Sequence, residues 1–309
     1  MTRDIKRPTK AIIAAAGFGT RFLPQTKAMP KEMMPLIDKP IIQYVVEELV
    51  EAGIKDIIIV GSQNKRAIED HFDVPNADLI ENLKLGGEKK AHYIEEMNDL
   101  SNMANFIYVR QRGPYGNAAP LHSVSHLIDD DEPFIYTYAD DFIVAKPNRF
   151  QQMVGVYEQY GGAVLSCKTV DYDSEYDRYG IVAGEEVGKG LIKMTHIAEK
   201  PGKKNAPSSL ASVSSYLLPA GFFDYLEVAS KTFGRNGEGE FTFQPIMQKM
   251  IDDGYDFYGY EVQNGTYYDT GDKLEYIKTV IDFGLRHPDL GSALSEFLRN
   301  KITAERAKK

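Results

Sequence analysis

The chain has 309 residues, of which 43% are hydrophobic and 26% charged, and these proportions are typical of a globular protein with one large domain or two modest ones. A formal net charge of -9 at pH 7 argues against nonspecific binding of nucleic acid, and the single cysteine, Cys167, excludes an intramolecular disulfide and a multi-cysteine zinc site. The N-terminus lacks the apolar core of a signal peptide, and no apolar run approaches the length of about 18 residues that spans a bilayer, so we expect a cytoplasmic protein without a membrane partner.

The first 145 residues alternate apolar strand patterns with helical patterns. Strands are predicted at residues 10–17, 56–61, 105–111 and 133–141, and helices at residues 41–53, 65–72 and 119–130. The helix at 41–53 has Pro40 before its first turn and Gly53 at its end, where each residue type is favoured. This alternation predicts an α/β fold with a mostly parallel sheet and helices on both faces, and ligands bind at the carboxyl ends of the strands in such sheets.

The second half of the chain is less regular. Strands are predicted at residues 161–170, 211–219 and 255–262, a hairpin at residues 179–203, and helices at residues 241–254 and 272–298. No internal repeat, low-complexity tract or linker interrupts the pattern. We therefore expect a single domain over residues 1–309.

The segment 14–32, AAAGFGTRFLPQTKAMPKE, is the strongest candidate for a functional site. It combines two glycines with several cations, and residues 11–31 contain no carboxylate although the whole chain is acidic. The segment does not match the P-loop pattern, and it fails the dinucleotide pattern because Phe22 stands at the third glycine position. Glycines let backbone N–H groups approach phosphate closely, while Arg21 and Lys31 supply positive charge. A polyphosphate site is favoured over a simple glycine turn with solvated cations.

Residues 17–35 follow the pattern G-x-G-T-R-x-x-P-x-[ST]-K-x-x-P-K-E-[ML]-x-P and so resemble the opening of the sugar-1-phosphate nucleotidyltransferases. Within that family the chain looks most like the bacterial UTP–glucose-1-phosphate uridylyltransferases. Weaker matches continue almost to the C-terminus, in the order KRAIEDHFD, YGIV, AEKP, YDTGDKLEYIK and LRHPDLG. The resemblance implies a Rossmann-like nucleotidyltransferase fold, in which helices flank a central mixed, mostly parallel sheet that carries an inserted sugar-binding portion and C-terminal helices.

The resemblance also implies an enzyme that makes UDP-glucose and pyrophosphate from UTP and glucose 1-phosphate by direct displacement at the α-phosphorus, with Mg²⁺ as cofactor. Residues 1–145 would mainly bind the nucleotide, residues 146–265 would mainly bind the sugar phosphate, and residues 266–309 would form a C-terminal helical region. The small-molecule substrates would be the main partners, and a homo-oligomer is expected.

Four residues are expected to carry the chemistry. Arg21 and Lys31 suit the triphosphate and the departing pyrophosphate, and Lys200 in AEKP is the family's candidate for holding the sugar phosphate. The resemblance makes Asp140, at the end of a predicted strand, the metal-binding carboxylate, because Mg²⁺ prefers oxygen ligands. Asp269 in YYDTGD aligns with a second acidic position that relatives use for metal, and a purely structural role for it is equally open.

Further contacts follow from the resemblance alone. The expected nucleotide contacts are Ala15, Ala16, Gly17, Gly19, Thr20, Gln111 and Gly116, of which the last two would read the pyrimidine. The expected sugar contacts are Gly180, Glu199 and Ser214. Residues 114–119 read PYGNAA where uridylyltransferases usually carry G-L-G-H-A-V, which leaves a thymidylyltransferase or another nucleotide-sugar pyrophosphorylase open. A non-catalytic sugar-nucleotide sensor is a third possibility, against which the retained charged set argues.

Two other features are weaker candidates for chemistry. His122 and His126 are four residues apart on a predicted helix, but HSVSH lacks the glutamate of the H-E-x-x-H zinc motif, so metal binding there is not favoured. Cys167 lies in the apolar run AVLSC and is expected to be a buried structural thiol.

Overall fold

The structure is a computed structural model that describes residues 5–236 and 239–306. The strands are β1 (Lys10–Ala14), β2 (Pro35–Leu36), β3 (Lys39–Pro40), β4 (Asp56–Gly61), β5 (Asn105–Arg110), β6 (Phe134–Tyr138), β7 (Asp141–Ala145), β8 (Ala163–Thr169), β9 (Gly180–Gly188), β10 (Leu191–Glu199), β11 (Leu210–Leu218), β12 (Phe257–Glu261) and β13 (Gly265–Asp269). The helices are α1 (Ile41–Glu51), α2 (Arg66–Phe72), α3 (Ala77–Leu85), α4 (Glu88–Asn102), α5 (Ala119–Val124), α6 (Arg149–Tyr160), α7 (Phe222–Asn236), α8 (Gln244–Asp252), α9 (Lys273–Arg286) and α10 (Gly291–Arg306).

A nine-stranded mixed sheet forms the centre of the molecule, in the order β5-β4-β1-β6-β11-β8-β12-β10-β9. Strands β5, β4, β1 and β6 run parallel to one another, as the alternating pattern of the first 145 residues predicts. From β11 onward the neighbours are antiparallel, except for the parallel pair of β8 and β12. Hydrogen bonds between β6 and β11 join the two halves of the chain in one continuous sheet.

Helices cover both faces of this sheet, as expected for an α/β fold. Successive residues of a strand point to opposite faces, so β1 contributes to two cores. Ala11 and Ile13 lie in a cluster with residues of α1, α2 and α6, whereas Ile12 lies in a cluster with residues of α5, α7 and α8. Each fully buried aliphatic side chain contributes about 1.5–3 kcal/mol, so these two cores dominate the stability of the fold.

Two predicted elements are shorter than expected. The strand predicted at 133–141 ends at Tyr138, and after a bend at residues 139–140 the chain continues as β7, which pairs with β13 and not with the central sheet. Asp140 therefore lies in the bend. The helix predicted at 119–130 ends at Val124 and is followed by a 3₁₀ turn, so His122 and His126 do not share an α-helical face. Within the described ranges, no group of three or more metal-ligating side chains is arranged to hold a metal ion.

Four helices, α3, α4, α6 and α7, lie where the sequence patterns predict none. Helix α3 fully buries only Leu83 and α4 fully buries no side chain, so both pack mainly through partly buried apolar residues: Ile80 on α3, and Ile94, Met97 and Leu100 on α4. Helix α6 begins at a capping box in which Asn148 and Gln151 each accept a hydrogen bond from the other's backbone N–H. Helices α9 and α10 form the predicted C-terminal helical region, and Cys167 is buried as expected. None of the helices in the described part of the chain is long and apolar enough to cross a membrane.

Candidate active site

The glycine-rich segment after β1 forms a turn in which Gly19 has a conformation that favours glycine. Its φ is +64°, and a Cβ at this position would lie 3.0 Å from Cγ2 of Thr26 and 3.2 Å from Cβ of Lys31. The Thr26 hydroxyl donates a hydrogen bond to Gly19 O at 2.7 Å. Ala16 and Thr20 lie in the same turn, which leaves β1 at the carboxyl edge of the sheet. The segment therefore folds back and brings Lys31 against its own glycines.

Lys31 connects this turn to Asp140. A Cβ at Gly17 would lie 3.7 Å from Nζ of Lys31, and Nζ forms an ion pair with Oδ2 of Asp140 in the bend between β6 and β7. Burial lowers the pKa of Lys31, but the carboxylate of Asp140, with Glu32 and Asp141 behind it, outweighs burial, so the pKa is raised overall. Lys31 is thus a protonated cation held at the centre of the turn.

Lys65 contacts the backbone of the glycine turn, and the sequence patterns did not predict it as a site residue. Its Nζ donates to Gly17 O at 2.7 Å and forms an ion pair with Glu32 Oε2 at 2.7 Å. The Lys65 side chain is 4% exposed and that of Glu32 is 0% exposed, so the pair is buried in full. The only sequence signal is the match KRAIEDHFD, and a lysine directly before a helix is more often exposed to solvent.

The second predicted metal carboxylate lies beside the first. Asp141 and Asp269 are paired residues of β7 and β13, and Thr270 N donates to Asp140 O at 3.1 Å. A Cβ at Gly271 would lie 3.2 Å from Asp269 Oδ1, 3.4 Å from Asp140 Oδ2 and 3.6 Å from Nη1 of Arg21. Arg21 also donates to Gly271 O at 3.2 Å. Three of the predicted residues, Arg21, Asp140 and Asp269, therefore converge around one glycine that lies 250 positions after Arg21 in sequence.

Arg178 partners the second carboxylate and is another residue that the sequence patterns did not predict. Its guanidinium forms an ion pair with Asp269 Oδ2, while Gly271 N donates to Asp269 Oδ1 at 3.0 Å. Burial raises the pKa of Asp269, and these partners oppose that effect. The carboxylate is therefore held by a cation and a backbone donor on its two oxygens.

A cavity of about 140 Å³ next to Asp141 and Arg178 collects the predicted sugar contacts. Its lining includes Gly180, Glu199 and Ser214. A Cβ at Gly180 would lie 2.8 Å from Ile197 Cδ1 and 3.1 Å from Glu199 Oε2, so glycine leaves the space that the cavity uses. All three predicted sugar residues are thus brought together.

Two of the predicted residues have backbone conformations that L-residues rarely adopt. Ser214 has a φ of +60° at an irregularity of β11, and Lys200 has a φ of +46° just after β10. Such conformations concentrate at functional sites, where the surrounding structure maintains them. Lys200 does not line the cavity: its ammonium group is largely exposed and lies 3.5 Å from Glu199 Oε1.

Arg149, at the start of α6, is buried and donates hydrogen bonds to two residues that line the cavity. Its Nη1 donates to Ser214 Oγ at 2.8 Å and to Asp141 O at 3.2 Å, and its Nη2 pairs with Glu48 at 3.2 Å. Burial, followed by the nearby charge of Asp140, raises the pKa of Asp141 to about 7. No sequence pattern predicted Arg149, because its partners come from distant segments.

The predicted base-reading segment, residues 114–119, packs against the loop before α8. A Cβ at Gly116, where φ is +135°, would overlap the backbone of Phe241. Phe241 N donates to Tyr115 O at 2.7 Å, and the Asn117 side chain accepts from Phe243 N at 3.0 Å. The substituted segment is therefore well packed and not a loose loop.

Ala15 and Gln111 border the same edge of the sheet. Ala15 N donates to Val60 O at 2.9 Å, and Gln111 N donates to Gly61 O at 2.9 Å, so both residues are tied to the end of β4. A larger cavity of about 700 Å³ lies between α7 and α8, but none of the predicted site residues is among its described lining residues. The smaller cavity of about 140 Å³, next to Asp141 and Arg178, is the one that the predicted sugar residues line.

The chain is similar to known proteins over most of its length. The model of the nucleotidyl transferase family matches residues 10–282. A UTP–glucose-1-phosphate uridylyltransferase of Staphylococcus saprophyticus is 41% identical over 291 residues, which are 94% of this chain and 98% of the relative. A UTP-bound UGPase from Acinetobacter baumannii superposes with a TM-score of 0.84 at 32% identity, over 94% of this chain and 98% of that one. A UDP-glucose pyrophosphorylase complexed with UDP-glucose gives a TM-score of 0.78 at 30% identity, over 91% and 100% of the two chains.

These similarities extend over nearly the whole of each protein. They confirm the predicted resemblance to bacterial UTP–glucose-1-phosphate uridylyltransferases and the expected nucleotidyltransferase fold. Because the matched region contains the glycine turn, both carboxylates and the cavity, the chain belongs to the nucleotidyl transferase family.

Proposed function

We propose that this protein makes UDP-glucose and pyrophosphate from UTP and glucose 1-phosphate. The observation that carries the proposal is the convergence of Arg21, Asp140 and Asp269 around Gly271, directly beside the cavity that contains Glu199. A relative that is 41% identical carries the same activity in its name, and solved neighbours hold UTP and UDP-glucose. These observations support a two-substrate site on one edge of the sheet.

The reaction needs cations more than it needs a nucleophilic side chain. An oxygen of the sugar phosphate attacks the α-phosphorus of UTP, a new P–O bond forms, and the bond to the β-phosphate breaks with pyrophosphate taking the electron pair. Both reactants are polyanions that repel each other, so the protein must align them and stabilise the charge on the transferring group. We assign Arg21 and Lys31 to the triphosphate and the leaving pyrophosphate.

The two carboxylates at Gly271 fit a divalent metal ion, which enzymes of this family generally use. Asp140 and Asp269 supply oxygen atoms, and Mg²⁺ is commonly held by one or two carboxylates together with phosphate oxygens. We assign Mg²⁺ to these two residues. When bound, the ion would neutralise negative charge on the phosphate groups.

The sugar side is assigned to the polar cavity. Glu199 would accept hydrogen bonds from sugar hydroxyls, and Gly180 and Ser214 would contact the ring. Lys200, whose ammonium group is exposed next to Glu199, would hold the phosphate of glucose 1-phosphate. On the nucleotide side we assign phosphate and ribose contacts to the glycine turn, and base reading to Gln111 and Gly116. The complete set of assigned nucleotide contacts is Ala15, Ala16, Gly17, Gly19, Thr20, Gln111 and Gly116.

Residues 1–309 are proposed to work as one domain, which the continuous sheet through β6 and β11 supports. The first 145 residues would mainly serve the nucleotide, residues 146–265 the sugar phosphate, and residues 266–309 the C-terminal helical region. The homo-oligomer that the resemblance implies stays a prediction, and sedimentation of the full-length protein measures it.

A thymidylyltransferase is the second candidate, and the substituted segment PYGNAA at residues 114–119 is the observation that favours it. The test is pyrophosphate release by the full-length protein with Mg²⁺, over a panel of nucleoside triphosphates and sugar 1-phosphates. The proposal expects release with UTP and glucose 1-phosphate together and none with either alone. Faster turnover with dTTP would favour the second candidate, and nucleotide binding without turnover of any pair would favour a sensor.

A further inference from the structure

Two largely exposed aromatic side chains lie against each other beside the glycine turn and the segment 114–119. Phe18, between Gly17 and Gly19, is 55% exposed, and Tyr115, directly before Gly116, is 70% exposed. Their ring centroids are 6.1 Å apart and their planes are inclined by 56°. We propose that Phe18 and Tyr115 form a stacking surface that binds the nucleobase of the triphosphate. This inference rests on the proposed function.

The backbone that carries Phe18 is held on both sides. Gly17 O accepts a hydrogen bond from the buried Lys65 at 2.7 Å, and Gly19 O accepts one from Thr26 at 2.7 Å. The ring therefore projects from a fixed turn and not from a loose loop tip. A ring held in this way loses little conformational freedom when a ligand covers it.

The backbone that carries Tyr115 is equally constrained. Tyr115 O accepts from Phe241 N at 2.7 Å, and Ala118 N donates to Phe241 O at 3.0 Å, so the segment is bonded on both sides of Gly116. Asn117 adds a hydrogen bond from its side chain to Gln244 at 3.2 Å. Because Gly116 packs on the Phe241 backbone, the tyrosine ring is left on the solvent side of the segment.

The chemistry of the surroundings indicates what the rings bind. The neighbouring groups, Lys31 and Asp140, suit phosphates and a metal ion, and neither ligand uses an aromatic face. A nucleoside triphosphate combines a polyphosphate with a flat aromatic base, and it can cover both the cation and the rings. Stacking tolerates any base because every base has a π-face. The rings thus supply affinity without selecting between uracil and thymine, which differ by one methyl group.

The chain contains no tryptophan, which makes a direct test possible. Tyr115→Trp introduces one indole into the full-length protein, and UTP is expected to quench its fluorescence while inorganic pyrophosphate is not. Tyr93→Trp is the matched control, because Tyr93 is 49% exposed on α4 and carries no predicted role. Its fluorescence is expected to stay unchanged with either ligand.

Calorimetric titration then measures the energetic contribution. Phe18→Ala and Tyr115→Ala are each expected to weaken UTP binding about 10-fold, in the range found for removing one stacking partner. The loss should be equal for UTP and dTTP, and pyrophosphate binding should stay within about twofold of the wild type. Tyr115→Phe retains the ring and is expected to bind UTP like the wild type.

Several outcomes would overturn the inference while the proposed function stands. One is a wild type that makes UDP-glucose and alanine variants whose UTP affinity is unchanged or improved. Equal losses for pyrophosphate and UTP would likewise overturn it, because they would mean that the glycine turn had collapsed. A wild type that neither binds UTP nor turns it over would instead refute the proposed function, and the stacking assignment with it.

Discussion

Replacement of Lys65 by methionine tests whether the buried ion pair holds the glycine turn. The side chains of Lys65 and Glu32 are 4% and 0% exposed, and Lys65 also donates to Gly17 O at 2.7 Å. Removing one partner of a buried pair leaves an uncompensated charge and costs about 3–5 kcal/mol. We expect Lys65→Met to lower the free energy of unfolding by that amount, measured by urea denaturation at pH 7.

A double variant separates stability from function. Lys65→Met with Glu32→Leu removes both charges, and replacing a buried ion pair by apolar residues is often neutral in stability, so most of the loss should be recovered. The hydrogen bond to Gly17 is still absent, and kcat/KM for UTP is therefore expected to stay at least about 10-fold below the wild type, the scale of a lost charged hydrogen bond.

Lys39 and Glu47 provide the matched control for this pair. They form an ion pair at 2.8 Å in which both side chains are substantially exposed. Exposed pairs contribute about 0–1 kcal/mol, so Lys39→Met should change the unfolding free energy by no more than that. The reasoning is refuted if Lys65→Met is as mild as Lys39→Met, or if the double variant regains wild-type kcat/KM for UTP.

The remaining predictions concern the charges, the pH dependence and two glycines. Asp140→Asn and Lys31→Ala should each reduce kcat by at least about 100-fold, as loss of one positioned charge does, and near-normal turnover would remove them from the mechanism. Burial raises the pKa of Glu48 to about 7, above its ordinary value of 4.5. The folded protein therefore keeps a proton that the unfolded chain loses, and stability should fall as the pH rises from about 4.5 through 7, by on the order of 3 kcal/mol. Glu48→Gln should make that decline shallower in urea unfolding curves without abolishing it, because burial also raises the pKa of Asp141 to about 7, and an unchanged slope would contradict the assignment. Gly116→Ala would place a Cβ on the Phe241 backbone at a φ of +135° and should weaken UTP binding and lower the melting temperature. Gly155→Ala, which meets nothing within 4 Å inside α6, should instead stabilise the protein by about 0.5–1 kcal/mol.

Strands and strongly amphipathic helices could be predicted from the sequence because their signal is local. Strand β4, DIIIVG, and helix α1 carry their own periodicity, and the structure confirms both. Helix α4 was not predicted, because its apolar residues Ile94, Met97 and Leu100 form a narrow stripe that is only partly buried and that polar residues flank. Helix α6 did have a local signal, the Asn148 and Gln151 capping box, which could have been used.

The candidate site likewise contains residues that the local sequence could predict and residues that it could not. The position of Arg21, Lys31 and Asp140 at one edge of the sheet could be predicted, because the glycine turn and the carboxylate each follow an apolar strand; their roles stay predictions. Arg149 and Arg178 could not be predicted, because their partners are contributed by elements far away in sequence, and nothing near either arginine indicates those partners.

The sequence by itself determined the glycine turn, the concentration of cations in residues 14–32 and the alternation of strands with helices. Each of these depends on residues that are close to one another in sequence. Tertiary structure alone decided which charges are buried and which are paired. Lys65 illustrates the physical reason: a lysine at the start of a helix is normally solvated, and only the approach of Glu32 and Gly17 from another segment makes its burial favourable. The same approach turned a glycine-rich stretch into a fixed turn with a protonated Lys31 at its centre.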